Sequence, residues 1–346
     1  MVTIKDIARE ADVSFTTVSN VIHGNTKRVS AGTVERINEI MKKRGYVPNM
    51  GARALVGSKT KLIAFAYQSY QPVAESNVME DTFVSQLTGE LERCIHEADY
   101  DMMLTFVDSQ NGMVAAAQRW NADGIVVLGA TPQQCTRLLE ATQKPIAFID
   151  CSLEDGSESI RKNYVTVTLD DRAAAYEMTK YLIACGHKKI GFVCRTTVEY
   201  KNPDSLRREG YTAAMREAGL DVPENWTMYM GPTYNMRRKA LAEIYARRSE
   251  FTALFSTADM DAASIENYLQ DLGVRVPQDI SVAGFDGNYM SSMVRPTLTT
   301  MYQDTSAKAA AAIDGLVALM SGSTPEKRDI RIPVRLIERN SVTVIK

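Results

Sequence analysis

Nine short apolar runs, separated by helix-length stretches, constrain the fold of this 346-residue chain more than any other feature. Most runs are continuously apolar, which is typical of strands buried on both faces, and the intervening stretches suit crossover helices between parallel strands. The predicted strands are residues 62–67, 101–107, 124–129, 145–150, 164–169, 189–194, 226–230, 252–256 and 280–286. So many units predict two Rossmann-like lobes, with a ligand cleft beyond the carboxyl ends of the strands.

Residues 3–22 predict a different element, two short helices joined by a tight turn. Apolar residues recur at helical spacing on one face of each helix. Asp12 lies at the reversal, where Asp tolerates a left-handed conformation, and Ser14 is placed to cap the second helix. The outer face of the second helix carries short, neutral or flat side chains: Phe15, Thr16, Thr17, Ser19 and Asn20. This face suits a helix that enters the major groove of DNA, and an ordinary helical hairpin is the alternative.

The N-terminal segment is also basic. A third helix is predicted over residues 30–44, ending at Gly45. Residues 1–61 contain eleven Lys and Arg against five Asp and Glu, a net charge of +6, whereas the whole chain has a net charge of −2. The remaining residues therefore carry −8. A basic head on an acidic body directs attraction for a polyanion to one end of the chain.

Four stretches together resemble the lactose/galactose-repressor family of bacterial transcription regulators: VTIKDIAREADVS…TVSNVI, RVSAGT, GYVPNMGARAL and TKLIAFAY. Residues 165–193 and 276–304 are similar to the body of the same family, and through it to periplasmic sugar-binding proteins. The resemblance implies a small all-α helix-turn-helix head followed by an α/β two-lobed periplasmic-binding-protein-like (type I) domain. It implies no cofactor and no metal.

The implied domain boundaries follow the family pattern. The head is residues 1–46 and the hinge helix or linker is residues 47–60. The N-terminal lobe is 61–162 plus 290–322, and the C-terminal lobe is 163–289 plus 323–346. The chain is thus expected to cross between the lobes near residues 161–164, 288–292 and 320–325.

The resemblance also assigns DNA contacts. Phe15, Thr16 and Asn20 fall on base-reading positions, and many family members carry arginine where this chain has Asn20. The positions that contact phosphates are occupied by Ser14, Thr17, Ser19, Ser30, Thr33 and Asn49. Arg28 lies in a loop that also reaches the DNA.

The hinge is expected to act in the minor groove. In the family this segment folds into a helix only on the operator, and Leu55 occupies the position of the leucine that wedges the groove open. An apolar side chain inserted at a base step kinks DNA. A flexible linker with one stray leucine is the alternative.

Three residues at strand or helix ends match effector-contacting positions of the family: Asp150, Arg207 and Asp286. One guanidinium and two carboxylates suit a polyol, so the expected effector is a sugar or a sugar phosphate, with another metabolite or a protein co-effector as alternatives. Arg207 has a second interpretation, pairing with an acid to hold the lobes together. Tyr234 is predicted either to face a sugar ring or to pack in the core.

Two departures from the family pattern bear on the ligand. Many members have Asn before the aspartate where this chain has Ala258–Asp259, so one sugar-binding amide is missing. The first-lobe loop at residues 68–81 also matches poorly.

Other functional classes fit the sequence less well. No G-x-G-x-x-G turn follows a strand, no P-loop motif occurs, and His23, His96 and His187 are scattered, so no enzyme is expected. Residues 1–20 lack the apolar core of a signal peptide, and five cysteines without metal-ligand spacing favour reduced thiols in the cytoplasm.

The sequence therefore predicts a sequence-specific DNA-binding transcription regulator. A repressor is expected, with activation left open, and a solute-binding protein of the same fold without a regulatory role is the alternative. Its partners would be a double-stranded DNA operator, a small sugar-like effector and a second copy of the chain. The chain shows no long heptad tail, which favours a homodimer over a tetramer.

Overall fold

A computed structural model describes residues 2–22, 25–46, 60–68, 78–107, 112–119, 121–154, 163–196 and 200–345, without the side chains of residues 116–119. The chain divides into two compact units, Met1–Thr60 and Lys61–Lys346. They are called the head and the body below.

The head is built from three helices, α1 Ile4–Glu10, α2 Phe15–Ile22 and α3 Ala31–Arg44. Asp12 adopts the expected left-handed conformation, with φ 49°, between α1 and α2. Gly45, with φ 59°, ends α3 as predicted. The small core of the head consists of Ile7, Ala8, Ala11, Val18, Val21 and Ile37.

The body contains two six-stranded sheets among its described residues. Its strands are β1 Leu62–Gln68, β2 Asp101–Val107, β3 Gly124–Leu128, β4 Ile146–Ile149, β5 Tyr164–Leu169, β6 Ile190–Cys194, β7 Thr227–Tyr229, β8 Ala253–Ser256, β9 Ser281–Asp286, β10 Thr299–Gln303, β11 Asp329–Ile332 and β12 Val334–Ile337. All nine predicted strands are present.

The strand order defines two lobes. The first sheet has the order β11–β5–β4–β3–β1–β2, and its pairs are parallel. The second sheet has the order β12–β10–β9–β8–β6–β7, in which only the described β10–β12 pair is antiparallel. Parallel strands place their carboxyl ends at one edge of each sheet, where polar side chains can gather.

Helices cover the sheets. They are α4 Thr82–Glu97, α5 Gly112–Arg119, α6 Pro132–Ala141, α7 Asp171–Ala184, α8 Pro203–Glu217, α9 Tyr234–Ala246, α10 Asp259–Asp271, α11 Tyr289–Met293 and α12 Thr305–Met320. Leu87, Leu91 and Ile95 on α4 are fully buried in the body core, so they pack as core residues. No helix in the described part of the chain is long and apolar enough to span a bilayer.

The positions at which the chain crosses between lobes differ from the predicted ones. Residues 164–169 were predicted to lie in the C-terminal lobe, but β5 pairs with β4 in the first sheet. Residues 299–303 were predicted to lie in the N-terminal lobe, but β10 pairs with β9 in the second sheet. The chain therefore changes sheet at Asp170, at Asp304 and at Pro333. Hydrophobicity alone cannot show which sheet a strand joins.

Three strands escaped prediction because they are not apolar runs. β10 contains Thr299 and Thr300, both fully buried. The Thr300 hydroxyl donates to Asp259 at 2.6 Å, and the Thr299 hydroxyl accepts the Arg339 N–H at 2.9 Å. These bonds satisfy the buried hydroxyls, so β10 can be buried without being apolar. The strands β11 and β12 lie at sheet edges and are only partly buried.

Candidate DNA-binding face and ligand cavity

The head presents the outer face of α2 as predicted. Phe15 is 51% exposed although it is a large apolar residue, and Ser14 and Thr16 are exposed beside it. Thr17, Ser19 and Asn20 are half-buried, while Val18 and Val21 anchor the opposite face. An exposed, uncharged face of this kind can approach base edges in a major groove.

Two of the predicted phosphate-contacting serines also cap helices. The Ser14 hydroxyl accepts the Thr17 N–H at 3.0 Å, and the Ser30 hydroxyl accepts the Thr33 N–H at 3.3 Å. Each serine hydroxyl also lies within hydrogen-bond distance of the same threonine's hydroxyl, at 2.9 Å for Ser14 and 2.8 Å for Ser30, and either oxygen atom can be the donor. Arg28 is exposed at the end of a short 3₁₀ helix, Thr26–Arg28. Asn49 and Leu55 lie outside the described residues.

The body contains a cavity of about 150 Å³ between the carboxyl ends of the two sheets. From the first lobe it is lined by residues at the ends of β1, β3 and β4 and at the start of α4. From the second lobe it is lined by residues that follow β6 and β8, by the end of β9 and by the start of α8. Its charged lining residues are Asp81, Asp150, Arg195, Asp204, Arg207 and Asp286.

Arg207 lines the cavity and also holds its neighbours in place. Its Nε donates to Asp171 at 2.8 Å, and its Nη1 donates to the carbonyl oxygen of Thr257 at 2.7 Å. The guanidinium carbon lies 3.5 Å from the centre of the Phe285 ring. Asp171 and Thr257 lie in the same lobe as Arg207, so these bonds do not hold the two lobes together as the second interpretation required. The position of Arg207 in the cavity lining agrees with the first interpretation.

Asp286 and Asp150 are connected through two buried polar side chains. The Gln303 Nε2 donates to Asp286 at 2.6 Å, and Lys308 Nζ donates to Gln303 Oε1 at 2.7 Å. Lys308 is fully buried and also donates to both carboxylate oxygens of Asp150, at 2.9 and 2.7 Å. This chain of bonds fixes the two carboxylates that the sequence predicted at the cavity.

Burial makes Asp286 a weaker acid than usual. It raises the pKa of the carboxyl to about 7, although the positive charge of Arg207 opposes this shift. The pKa of the buried Asp259 is also raised, chiefly by its own burial and next by the charge of Asp286. The buried site thus favours the protonated form of Asp286 more than water does.

Arg195 and Asp204 were not predicted. Arg195 follows β6, and its Nη1 pairs with Asp81 across the cleft, while its Nε donates to Asp261 at 3.1 Å. Asp204 accepts the backbone N–H groups of Arg195 and Thr196, at 3.1 and 3.0 Å. A charged residue directly after an apolar strand was the available signal for Arg195.

Tyr234 does not belong to the cavity. It begins α9, is 73% exposed and is absent from the described cavity lining, so it neither faces the site nor packs in the core. Both predicted alternatives for Tyr234 are therefore wrong. Ala258 does line the cavity, and Asp259 behind it accepts the Asn288 N–H at 3.1 Å.

His187 has a structural role instead of a chemical one. Its Nδ1 lies 3.1 Å from the Thr252 hydroxyl, and its Nε2 lies 3.1 Å from the Thr343 carbonyl oxygen. Burial lowers the pKa of this imidazole. In the part of the chain that the structure describes, no cluster of three or more His, Cys, Asp or Glu could hold a metal ion.

Comparisons with known proteins match both units. The family described as bacterial regulatory proteins, lacI family, matches residues 3–49, and a periplasmic binding protein-like domain matches residues 179–342. Catabolite control protein A of Priestia megaterium is 30% identical, over 98% of this chain and 99% of that protein. The ribose operon repressor of Escherichia coli (strain K12) is 31% identical, over 99% of this chain and 100% of that protein.

A solved structure has the same fold. The lac repressor dimer bound to operator and the anti-inducer ONPF matches with a TM-score of 0.81 at 22% identity, and 99% of each chain is covered. This match supports the architecture of a helical head followed by a two-sheet α/β body.

Proposed function

The chain belongs to the lacI family of bacterial regulatory proteins, and on this premise we propose that it is a transcriptional repressor whose operator affinity depends on a ligand bound between its lobes. One observation carries the proposal: a basic head with an exposed α2 face and a cavity lined in part by charged residues between two lobes occur in one chain. A solute-binding protein without a regulatory role has no use for such a head.

On the operator, α2 would read bases and the caps of α2 and α3 would contact phosphates. Base reading falls to Phe15, Thr16 and Asn20, and phosphate contacts fall to Ser14, Thr17, Ser19, Arg28, Ser30, Thr33 and Asn49. Leu55 would wedge the minor groove. A single helix-turn-helix covers few base pairs, so we propose a homodimer on a near-palindromic operator.

Asn20 supports a specific expectation about the operator. An asparagine side chain pairs best with adenine, through its N6 and N7 atoms, whereas arginine pairs with guanine. We expect selection of binding sites from random DNA to yield adenine at the base pair that Asn20 reads. In Asn20→Ala this preference should disappear while neighbouring positions keep theirs. Selection of guanine at that base pair by the wild-type chain, with the same preference in Asn20→Ala, would contradict this role.

The cavity supports a compact, uncharged polyol as the ligand. Its volume of about 150 Å³ is close to that of a cavity that holds one benzene molecule, so the ligand must be small. Asp150, Arg207 and Asp286 offer both donors and acceptors, which match vicinal hydroxyls. The charged lining comprises four carboxylates and two guanidiniums, so a neutral sugar is favoured over a sugar phosphate. One relative is named for ribose, which agrees with this ligand class.

No catalytic role is proposed. The relatives named above are regulators, and the cavity carboxylates accept hydrogen bonds from arginine, lysine, glutamine and backbone donors. The ligand would act by linkage, because a molecule that prefers one lobe arrangement shifts the separation of the two heads. A regulator of chromosomal DNA would work in the cytoplasm.

The test is binding to a fluorescent operator selected from random DNA, measured while neutral sugars, sugar phosphates and nucleobases are screened. A ligand that changes operator affinity by fivefold or more supports the proposal, and the direction of change distinguishes an inducer from a co-repressor. The absence of sequence-selective binding would overturn it.

Arg207→Ala should abolish the response to that ligand while operator affinity without ligand stays within about threefold of wild type. Arg248→Ala is the matched control, because Arg248 lies in the body at a helix end and is absent from the described cavity lining. An unchanged ligand response in Arg207→Ala would remove Arg207 from the site.

A further inference from the structure

The two lobes of the body meet at the start of α4. Arg195 of the second lobe pairs with Asp81, the residue that caps α4 in the first lobe. Next to this pair, the side-chain amide of Asn288 in the second lobe donates to the Thr82 hydroxyl at 2.8 Å. Both contacts join an element of the first lobe to an element of the second lobe, so they form only when the lobes are close together.

The two carboxylate oxygens of Asp81 have different partners. Its Oδ1 accepts the N–H groups of Phe83 and Val84, at 2.9 and 3.2 Å, and thereby caps the helix. Its Oδ2 receives the Arg195 guanidinium. The carboxylate is therefore positioned by its own lobe, independently of the arginine, and presents one oxygen across the cleft.

Arg195 is held in an equivalent way by the second lobe. Its backbone N–H donates to Asp204 at 3.1 Å, and its Nε donates to Asp261, in the first turn of α10, at 3.1 Å. Its side chain and that of Asp81 are 20% and 17% exposed. A charged pair with this much burial is screened by salt less than a surface pair.

The guanidinium also faces the cavity. Arg195 lines it, and its Nη2 is buried without a hydrogen-bond partner among the residues that the structure describes. The side chain thus both bridges the lobes and forms part of the wall that a ligand would meet.

We propose that Arg195 and Asp81 form an inter-lobe latch, which holds the cleft closed before any ligand binds. The latch makes Arg195 a positioning residue of the cavity: breaking it allows the lobes to open without altering the fold of either lobe. This inference builds on the proposed function, since the cavity that it closes is the proposed effector site. Its test requires neither the ligand nor the operator.

The experiment is hydrogen–deuterium exchange on the ligand-free full-length chain. The variants are Arg195→Gln, Asp81→Asn and the double variant. Asparagine caps helices as well as aspartate, so Asp81→Asn keeps α4 intact and removes only the charge. Arg93→Gln is the control, because it breaks exposed ion pairs with Glu90 and Glu97 on the same helix.

Each single variant should raise exchange by about tenfold in peptides that border the cleft, residues 82–88 and 286–292, which corresponds to about 1.4 kcal/mol. The double variant should exchange no faster than Arg195→Gln, because the charge that Asp81→Asn removes has already lost its partner once Arg195 is replaced. Peptides of α9 and the control variant should match wild type.

Exchange unchanged from wild type in Asp81→Asn, or additive effects in the double variant, would overturn the latch. Circular dichroism shows whether Arg195→Gln lowers the thermal stability of the body. If it does, the exchange result for Asp81→Asn alone decides the outcome. Failure of the latch would leave operator selection and the ligand screen unaffected, so the two proposals fail separately.

Discussion

Two fully buried ionisable residues of the body differ in whether hydrogen-bond partners compensate their charge. Lys308 is fully buried, but Asp150 and Gln303 accept all of its described hydrogen bonds, so its charge is compensated. Glu266 on α10 is also fully buried, yet neither carboxyl oxygen has a hydrogen-bond partner among the described residues. Burial, and next the charge of Asp259, raise the pKa of Glu266 to about 8. The protonated form is therefore the one that the fold accommodates.

This shift predicts a pH dependence of stability. The folded-state pKa lies above the unfolded value, so between about pH 5 and 8 the folded chain keeps a proton that the unfolded chain has lost. The free energy of unfolding should therefore fall as pH rises through this window, by up to about 1.4 kcal/mol per pH unit from this residue. Glu266→Gln cannot titrate and should lose that part of the slope. Urea unfolding at several pH values, followed by circular dichroism, measures it.

Glu243→Gln is the matched control for Glu266→Gln, because Glu243 is an exposed carboxylate on the neighbouring helix α9. It should keep the slope of wild type. Parallel curves for wild type and Glu266→Gln would contradict the buried, protonated state.

At the scale of elements, the contact between α7 and α8 depends on the absence of a side chain. A Cβ atom at Gly210 would lie 2.1 Å from the carbonyl oxygen of Arg172 and 2.8 Å from the Tyr176 nitrogen, both backbone atoms. Gly210→Ala must therefore push α8 away and displace Arg207, which lies one turn earlier. We expect a loss of about 3 kcal/mol in the free energy of unfolding, measured by urea titration.

Gly89→Ala is the contrasting variant, because Gly89 lies inside α4 with open space around a Cβ atom. It should stabilise the chain by about 0.5–1 kcal/mol through helix propensity. A Gly210→Ala protein as stable as Gly89→Ala would show that the helices can separate at no cost.

Elements built on apolar periodicity could be predicted, and elements built on paired polar groups could not. The strands β1 to β9 are largely apolar runs, and the helix ends at Ser14 and Gly45 are local, so short windows of sequence reveal them. β10 is buried because Thr300 meets Asp259, a residue 41 positions away. Likewise, Arg195 in the cavity wall pairs with Asp81, a residue 114 positions away. Such pairings depend on the packing of the lobes, which a single sequence does not show.

Across the whole molecule, the separation of charge predicts how operator affinity depends on salt. The chain has a net charge of −2, but residues 1–61 carry +6 and the rest carry −8. Attraction to phosphates therefore comes from the head, opposed by the acidic body. A dimer that presents two heads should make several phosphate contacts at once, so its affinity should fall steeply with salt. We expect operator affinity to drop by at least about 10³-fold between 50 and 200 mM salt.

Arg28→Ala removes one proposed phosphate contact from each head, two per dimer. The slope of log affinity against log salt should become shallower by about 2, and binding should weaken by a similar factor on every sequence. Asn20→Ala should instead keep the slope and relax the preference at one base pair, because its contact is with a base. Fluorescence anisotropy on the selected operator and on a half-site, over a salt series, separates the two effects. If Arg28→Ala leaves the slope unchanged, or if the half-site binds as tightly as the full operator, the two-headed electrostatic mechanism is wrong.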